Sequence, residues 1–240
     1  VLNRVFLLAL TDWKNIKRDP LLIFSMLGPL LLAVLARIGL PELDRLLNQY
    51  MSFNFQAHFL IIISLVLLMT PLMIGMLFGF IILDERDEGI LLYYSITPLT
   101  KVGYLYGRLL VPMGLTFILS FMIVLIQGVV QIDVFSFVPV AILLALQTPI
   151  ITMIMSTLAS NKVEGLALTK VINLCILVPL IDYVFTNPMV KLVMLFPVYW
   201  PVSMLINMNS SYYWYQFLIG VMVTFLWFIL LKNKFQKKIE

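Results

Sequence analysis

The sequence predicts an all-α integral membrane fold of six transmembrane helices, and three observations carry that prediction. Hydrophobic residues make up 62% of the 240 and the mean hydropathy is +1.05, more apolar surface than a soluble core of this size can hide. The apolar residues fall in long runs parted by short polar stretches. Lys and Arg sit almost only in alternate stretches, which is how a membrane topology is written in sequence.

Measured against the roughly 20 residues that cross about 30 Å of hydrocarbon, the runs place spans near 21–39, 55–83, 104–129, 135–159, 165–186 and 212–231. One set of flanks holds Arg4, Lys14, Lys17 and Arg18, then Arg86, Lys101 and Arg108, then Lys162 and Lys170, then Lys232, Lys234, Lys237 and Lys238. The other set holds only Arg37, Arg45 and Lys191. The positive-inside rule then predicts a cell-membrane protein with both termini and the loops near 84–103 and 160–164 in the cytoplasm. On this reading the net charge of +4 is orientation plus attraction to the lipid headgroups of the membrane, and nucleic acid is not a partner.

Residues 1–20 come first. Val5, Phe6, Ala9, Leu10, Trp13 and Ile16 recur at helical spacing against Arg4, Asp12, Lys14, Lys17 and Arg18, which predicts a helix lying in the cytoplasmic interface. A cleaved signal peptide would need small residues where Asp12, Lys14, Lys17 and Arg18 stand. The chain begins at Val1 rather than Met, so upstream residues are expected. The second span, at roughly 43 Å for 1.5 Å per residue, outruns the hydrocarbon and must tilt or project into water. Pro71 should kink it, and Gly75 with Gly79 forms a G-x-x-x-G face for close helix packing, within the chain as the first reading and between subunits as the second. Pro112, Pro149 and Pro179 similarly predict bends in the third, fourth and fifth spans.

Residues 187–211 are apolar but too short and proline-broken to cross, with Pro188, Pro197 and Pro201 in one run. They predict a pair of half helices dipping in from the outside, beside an outer aromatic belt of Tyr199, Trp200, Tyr212, Tyr213, Trp214 and Tyr215. Cys175 and His58 are each alone in the sequence. No disulfide within the chain, no thiolate cluster and no zinc set can be built from them, and His58 reads as a neutral interfacial side chain. The G-x-x-x-x-G-K-[ST] phosphate loop is absent from the sequence, so any ATP must be held by another chain.

The densest polar chemistry is Asp84-Glu85-Arg86-Asp87-Glu88-Gly89. Asp84, Asp87 and Glu88 share a helical face, which makes a metal site thinkable, although carboxylates at a solvated helix end more often hold only water and sodium. Gly89 suits a helix C-terminus and Thr97-Pro98 a helix start. Between them Ile90 to Ile96, including Leu91, Leu92 and Tyr93, make about two turns of apolar helix on the cytoplasmic side, a docking element by composition.

An acidic and basic cluster ending the second span, a Gly, a short apolar helix, then Thr-Pro and a third span resembles the membrane subunit of ABC-2 type exporters. The six spans, the interfacial first helix and the broken outer segment match that family over nearly the whole chain, as one transmembrane domain spanning 1–240. The resemblance implies that Glu85, Arg86, Glu88 and Gly89 close the second helix. It implies that Ile90, Leu91, Leu92 and Tyr93 enter a groove on a separate cytoplasmic ATPase, and that Thr97 and Pro98 restart the chain. Asn161, Lys162 and Glu164 would form a second cytoplasmic contact. The partners implied are that ATPase, which holds ATP and Mg²⁺ so that this chain binds no cofactor, and a second permease copy or a sister permease. The absence of a large domain between the first two spans resembles the short drug or peptide exporters.

Candidate cargo-path residues are the polar intramembrane Gln127, Gln147, Asn173 and Asp182, with Thr148 and Lys170 beside them. No charge falls clearly at mid-membrane, which favours amphiphilic cargo (a drug, antibiotic, peptide or lipid) over proton coupling. Two rival readings remain at this stage. One is a lipid-modifying membrane enzyme with Mg²⁺ on the Asp84–Glu88 carboxylates, and the other a sensor or scaffold that borrows an ATPase.

Overall fold

Six helices are long and apolar enough to cross a membrane, by length and composition. The computed structural model describes residues 20–51, 53–90, 100–185 and 187–239, and no strand occurs among them. The interfacial helix expected over 1–20 and the coupling helix expected between Gly89 and Thr97 fall almost entirely outside the described residues.

In chain order the α-helices are α1 (Pro20–Met51), α2 (Phe59–Asp87), α3 (Thr100–Gln127), α4 (Val134–Leu158), α5 (Lys162–Asn173), α6 (Leu177–Val184), α7 (Tyr199–Ile206) and α8 (Tyr213–Ile239). α2 and α4 form the centre. Both are apolar on every side, and two thirds of each span is buried (67%) against 11% for α8, as expected of a helix that packs all round rather than along one stripe. The peripheral helices turn large apolar side chains outward, among them Leu35 and Ile38 on α1, Leu125 on α3 and Met222 and Phe225 on α8. That is the surface of a protein whose solvent is lipid.

The two ends of the bundle are fixed by contacts. Phe235 near the end of α8 packs with Ile82 of α2 and Met153 of α4, defining a lysine-rich end. At the start of α8 the Tyr213 hydroxyl donates to the Ser136 carbonyl at the start of α4, defining an aromatic end.

The glycines of α2 serve packing within the chain. A Cβ on Gly75 would stand 2.7 Å from Ile151 Cβ and 2.9 Å from the Thr148 carbonyl, and one on Gly79 would stand 2.5 Å from Met155 Cβ. Thr152 Oγ1 donates to the Gly75 carbonyl at 3.1 Å, a polar bond that only such close backbones permit. α2 runs unbroken through Pro71.

Two features differ from the sequence expectation, the end of the first helix and the aromatic belt, and a third, the bend expected at Pro179, is sharper than a bend. The first helix does not stop near residue 39; α1 continues through Pro41 for 32 residues in all. Pro41 removes one backbone bond, but the turns beyond it are held by a Glu42–Arg45 ion pair at 2.9 Å and by the Gln56 amide, which donates to Asp44 Oδ1 at 3.0 Å. The fifth span is broken: α5 and α6 are joined by a 3₁₀ turn over Leu174–Ile176, just where Pro179 cannot donate to the preceding turn. Tyr199, Trp200 and Tyr213 are not belt residues, being only 5%, 5% and 7% exposed; Tyr212, Trp214 and Tyr215 are the exposed ones.

Candidate functional site

At the lysine-rich end, four successive residues of α2 reach three other helices. Glu85 points inward to α3, where Tyr104 and Arg108 stand one turn apart. The Tyr104 hydroxyl donates to Glu85 Oε2 at 2.6 Å, Arg108 Nε donates to the same oxygen at 3.2 Å, and Arg108 Nη2 donates to Glu85 Oε1. The guanidinium is 2% exposed and lies 5.4 Å from the centre of the Tyr104 ring. Burial pushes the Tyr104 phenol well above its ordinary value, against the opposing pull of Arg108 and with Glu85 adding to the rise. Tyr104 is therefore a fixed neutral donor, and the carboxylate is satisfied from two sides.

Arg86 turns to α4. Its Nη1 donates to the Ser156 carbonyl at 3.0 Å and its Nη2 to the Ala159 carbonyl at 2.6 Å, so a cation meets the carbonyls left open at a helix C-terminus. Asp84 and Asp87 hold the start of α5: Lys162 Nζ donates to Asp84 Oδ2 at 2.9 Å and the Lys162 amide to Asp87 Oδ2 at 3.2 Å. α5 itself is capped by Asn161 Oδ1, which accepts from the Glu164 amide at 2.9 Å, while Glu164 Oε2 accepts from the Ser160 amide at 2.7 Å. This is a reciprocal cap of the kind that starts a helix firmly. After Asp87 the chain turns through Gly89 at φ +70°, the left-handed conformation expected of it. The sequence-predicted residues Glu85, Arg86, Asn161, Lys162 and Glu164 thus lie in one network, while Leu91, Leu92, Tyr93, Thr97 and Pro98 lie outside the described residues.

Sequence reasoning missed the partners. Arg108 entered only as a topology charge, and Tyr104 not at all. The available signal was their spacing of four on a helix whose neighbouring flank carries a buried-side acid. Of a hydroxyl seam on α4 only Thr148 was singled out: its Oγ1 bonds Thr116 Oγ1 at 2.7 Å, and Thr152 and Ser156 follow at helical spacing, each bonding back one turn.

At the aromatic end, the segment between α6 and α8 is a hairpin. A 3₁₀ helix over Pro188–Leu195 leads inward and α7 leads back. Gln147 Nε2 donates to the Pro197 carbonyl at 2.9 Å and Trp227 Nε1 to the Leu195 carbonyl at 2.9 Å. Counted from Val134 to Gln147 and from Tyr213 to Trp227 at 1.5 Å per residue, both bonds place the tip about 20 Å below the end of the bundle. Gln147 Oε1 and Gln216 Oε1 are buried beside the hairpin with no hydrogen-bond donor.

The four candidate path residues are not gathered on one surface. Gln127 Oε1 accepts from the Val129 and Val130 amides at 2.8 and 2.9 Å and shapes the turn after α3. Gln147 holds the hairpin. Asn173 is exposed at the end of α5. Asp182 lies at the aromatic end and accepts from the Tyr199 hydroxyl at 3.0 Å. His58 is tied there too, its Nδ1 lying 2.7 Å from the Tyr183 hydroxyl and its ring stacked on Phe53 at 5.6 Å.

Six apolar spans, two of them forming the buried centre, with a polar clamp at one end and an inserted hairpin at the other, define a multi-pass helical membrane protein. The chain belongs to the family described as Fluoroquinolones export permease protein Rv2686c-like, whose family model matches residues 12–232. Two curated relatives carry the same kind of name: Fluoroquinolones export permease protein Rv2686c of Mycobacterium tuberculosis (strain ATCC 25618 / H37Rv) and Fluoroquinolones export permease protein MT2760 of Mycobacterium tuberculosis (strain CDC 1551 / Oshkosh). Each is 22% identical over 212 residues, covering 87% of this chain and 84% of the relative. No solved structure matches the chain. The sequence expectation of an export permease is met by the family.

Proposed function

We propose that this chain is the permease subunit of an ABC-2 type exporter, moving an amphiphilic substrate across the cytoplasmic membrane with ATP hydrolysed on a separate ATPase that holds the Mg²⁺. The names of the relatives make fluoroquinolone antibiotics the first cargo to test. The lysine-rich end faces the cytoplasm on this reading, and Ile90 to Ile96 dock in the ATPase. A second copy or a sister permease completes the pathway.

The observation that supports it is the clamp over residues 84–87. These residues lead directly into the docking segment, and they are bonded to α3, α4 and α5 together. A displacement of the docking segment is therefore delivered to three helices at once. ATP binding can drive such a change because it favours one of the two arrangements unequally. The lipid-enzyme reading is weakened by the same contacts, since Asp84 and Glu85 already have Lys162, Arg108 and Tyr104 as partners.

The test is a mild-detergent pull-down from the native cell with wild type and Leu92→Asp, which sets a charge in an apolar docking surface. Wild type should recover a nucleotide-binding ATPase and drive ATP-dependent fluoroquinolone accumulation in inverted vesicles, and the variant should do neither. Recovery of no ATPase under conditions that keep other such complexes together would refute the assignment, as would normal export by the variant.

A further inference from the structure

The chemistry left unused by the clamp lies at the other end of the bundle. A cavity of about 200 Å³ opens between α6 and α7, walled by Asp182 and Tyr183 from one helix and by Tyr199, Val202 and Ser203 from the other. Asp182 is its single charged group. The carboxylate is half-buried and accepts from the Tyr199 hydroxyl. Among the described residues no Lys, Arg or His nitrogen forms an ion pair with it.

A half-buried carboxylate without a countercharge attracts a cation that enters the cavity. The two tyrosines of the lining favour a positive guest as well. Ser203 Oγ is an acceptor, taking a bond from Gln216 Nε2 at 3.3 Å, and tyrosine rings attract cations within about 6 Å. A hard metal ion fits less well, since Ca²⁺ asks for six to eight oxygens and usually several carboxylates. The size narrows the guest further, because drug-sized ligands occupy about 300–1,000 Å³. This cavity holds a head group rather than a whole molecule.

We propose that the cavity between α6 and α7 binds the ammonium head of an organic cation, with Asp182 as the countercharge and Tyr183 and Tyr199 as walls. As a station for cargo this rests on the export reading; as a binding site it does not. One wall belongs to the inserted hairpin, and the Tyr199–Asp182 bond joins that hairpin to the fifth span.

The test is equilibrium dialysis of radiolabelled benzyltrimethylammonium against the purified protein in nanodiscs of zwitterionic lipid, which themselves hold little cation. The uncharged isostere neopentylbenzene serves as control. Wild type should bind the cation saturably, and Asp182→Asn, which keeps the shape and the Tyr199 bond, should weaken it by about tenfold or more. Asp182→Glu should recover most of the loss. Ile206→Trp, which narrows the cavity and leaves the carboxylate in place, should also abolish binding, and the isostere should not distinguish wild type from Asp182→Asn. Equal binding by wild type and Asp182→Asn, or no saturable binding by wild type, overturns the proposal. ATP-driven fluoroquinolone export in vesicles is scored separately. Asp182-dependent binding without export leaves the site standing and removes the exporter reading, whereas export with Asp182-independent binding does the reverse.

Discussion

Glu85 keeps its charge inside the bundle with the help of Arg108 and Tyr104, which stand one turn apart on α3 and donate to both carboxylate oxygens. Arg108→Ala would leave a buried carboxylate without its cation, and removal of one partner of a buried pair costs about 3–5 kcal/mol. A large drop in the unfolding midpoint in detergent is expected, and pairing the change with Glu85→Gln should recover most of it. Equal losses in the single and double variants would show that packing, not charge, is what Arg108 supplies. Tyr104→Phe removes one donor to a charged acceptor, worth about 1.5–3 kcal/mol. Asp133 offers a pH test at the far end. It caps α4 by accepting from the Ser136 amide and hydroxyl, both at 2.8 Å, and those bonds hold its carboxyl below the ordinary 3.8. Its folded value lies below its unfolded one, so the contribution is full above about pH 3.8 and is lost as pH falls through the lower folded value. Amide-exchange protection in the first turn of α4 should fall over that window in wild type. In Asp133→Ala it should be low throughout, with no step. The residues of the clamp on α2 were legible in sequence because they are contiguous. Their partners were less so: the spacing of Tyr104 and Arg108 is local to α3, but the contact between Glu85 and Arg108 depends on how two helices lie.

Helices are where the sequence spoke most clearly and where prolines misled it. The G-x-x-x-G of α2 was legible as a close-packing face, and Gly75 and Gly79 meet α4 with no room for a side chain. Gly79→Ala forces α2 and α4 apart and should cost about 1–3 kcal/mol, as overpacking does. Gly114→Ala on α3 meets nothing within 4 Å, so it should be neutral or stabilising by up to about 1 kcal/mol. Comparing the two by unfolding in detergent separates helix propensity from contact; if Gly79→Ala proved as mild as Gly114→Ala, the α2–α4 contact would not be as close as described. The first span was placed to end near residue 39 by its apolar run, yet the helix runs on through Pro41. Beyond it the exposed Glu42–Arg45 pair and Asp44 with Gln56 add bonds to the following turns. Pro179 did break its span, and nothing in the sequence separates the two cases. Tyr199 and Trp200 read as interface residues for a similar reason. Aromatic composition is shared by belts and by cores, and only the depth of the hairpin decides between them.

Across the whole molecule the two ends carry unlike chemistry. One gathers ion pairs and helix caps around the end of α2, and the other carries exposed aromatics and a hairpin inserted to about 20 Å by helix rise. The span count was legible because hydrocarbon thickness imposes a length on every crossing. The hairpin was legible as a segment too short to cross, although its depth follows from Gln147 and Trp227 on distant helices. Which end faces the cytoplasm is a matter of charge, and on it depend the docking of an ATPase and the direction of transport. The positive-inside rule puts the lysine-rich end inside, and single cysteines in a Cys175→Ala background test that directly. Asn209→Cys, exposed at the aromatic end, should react with a membrane-impermeant maleimide on intact cells. Lys234→Cys, exposed near the end of α8, should react only after permeabilisation. Val198→Cys should react in neither condition, since Val198 is 7% exposed at the hairpin tip, although only about ten residues of sequence separate it from the reactive Asn209. Labelling of Lys234→Cys on intact cells with Asn209→Cys silent would invert the bundle, and an inverted bundle would carry the proposed docking segment away from any cytoplasmic ATPase.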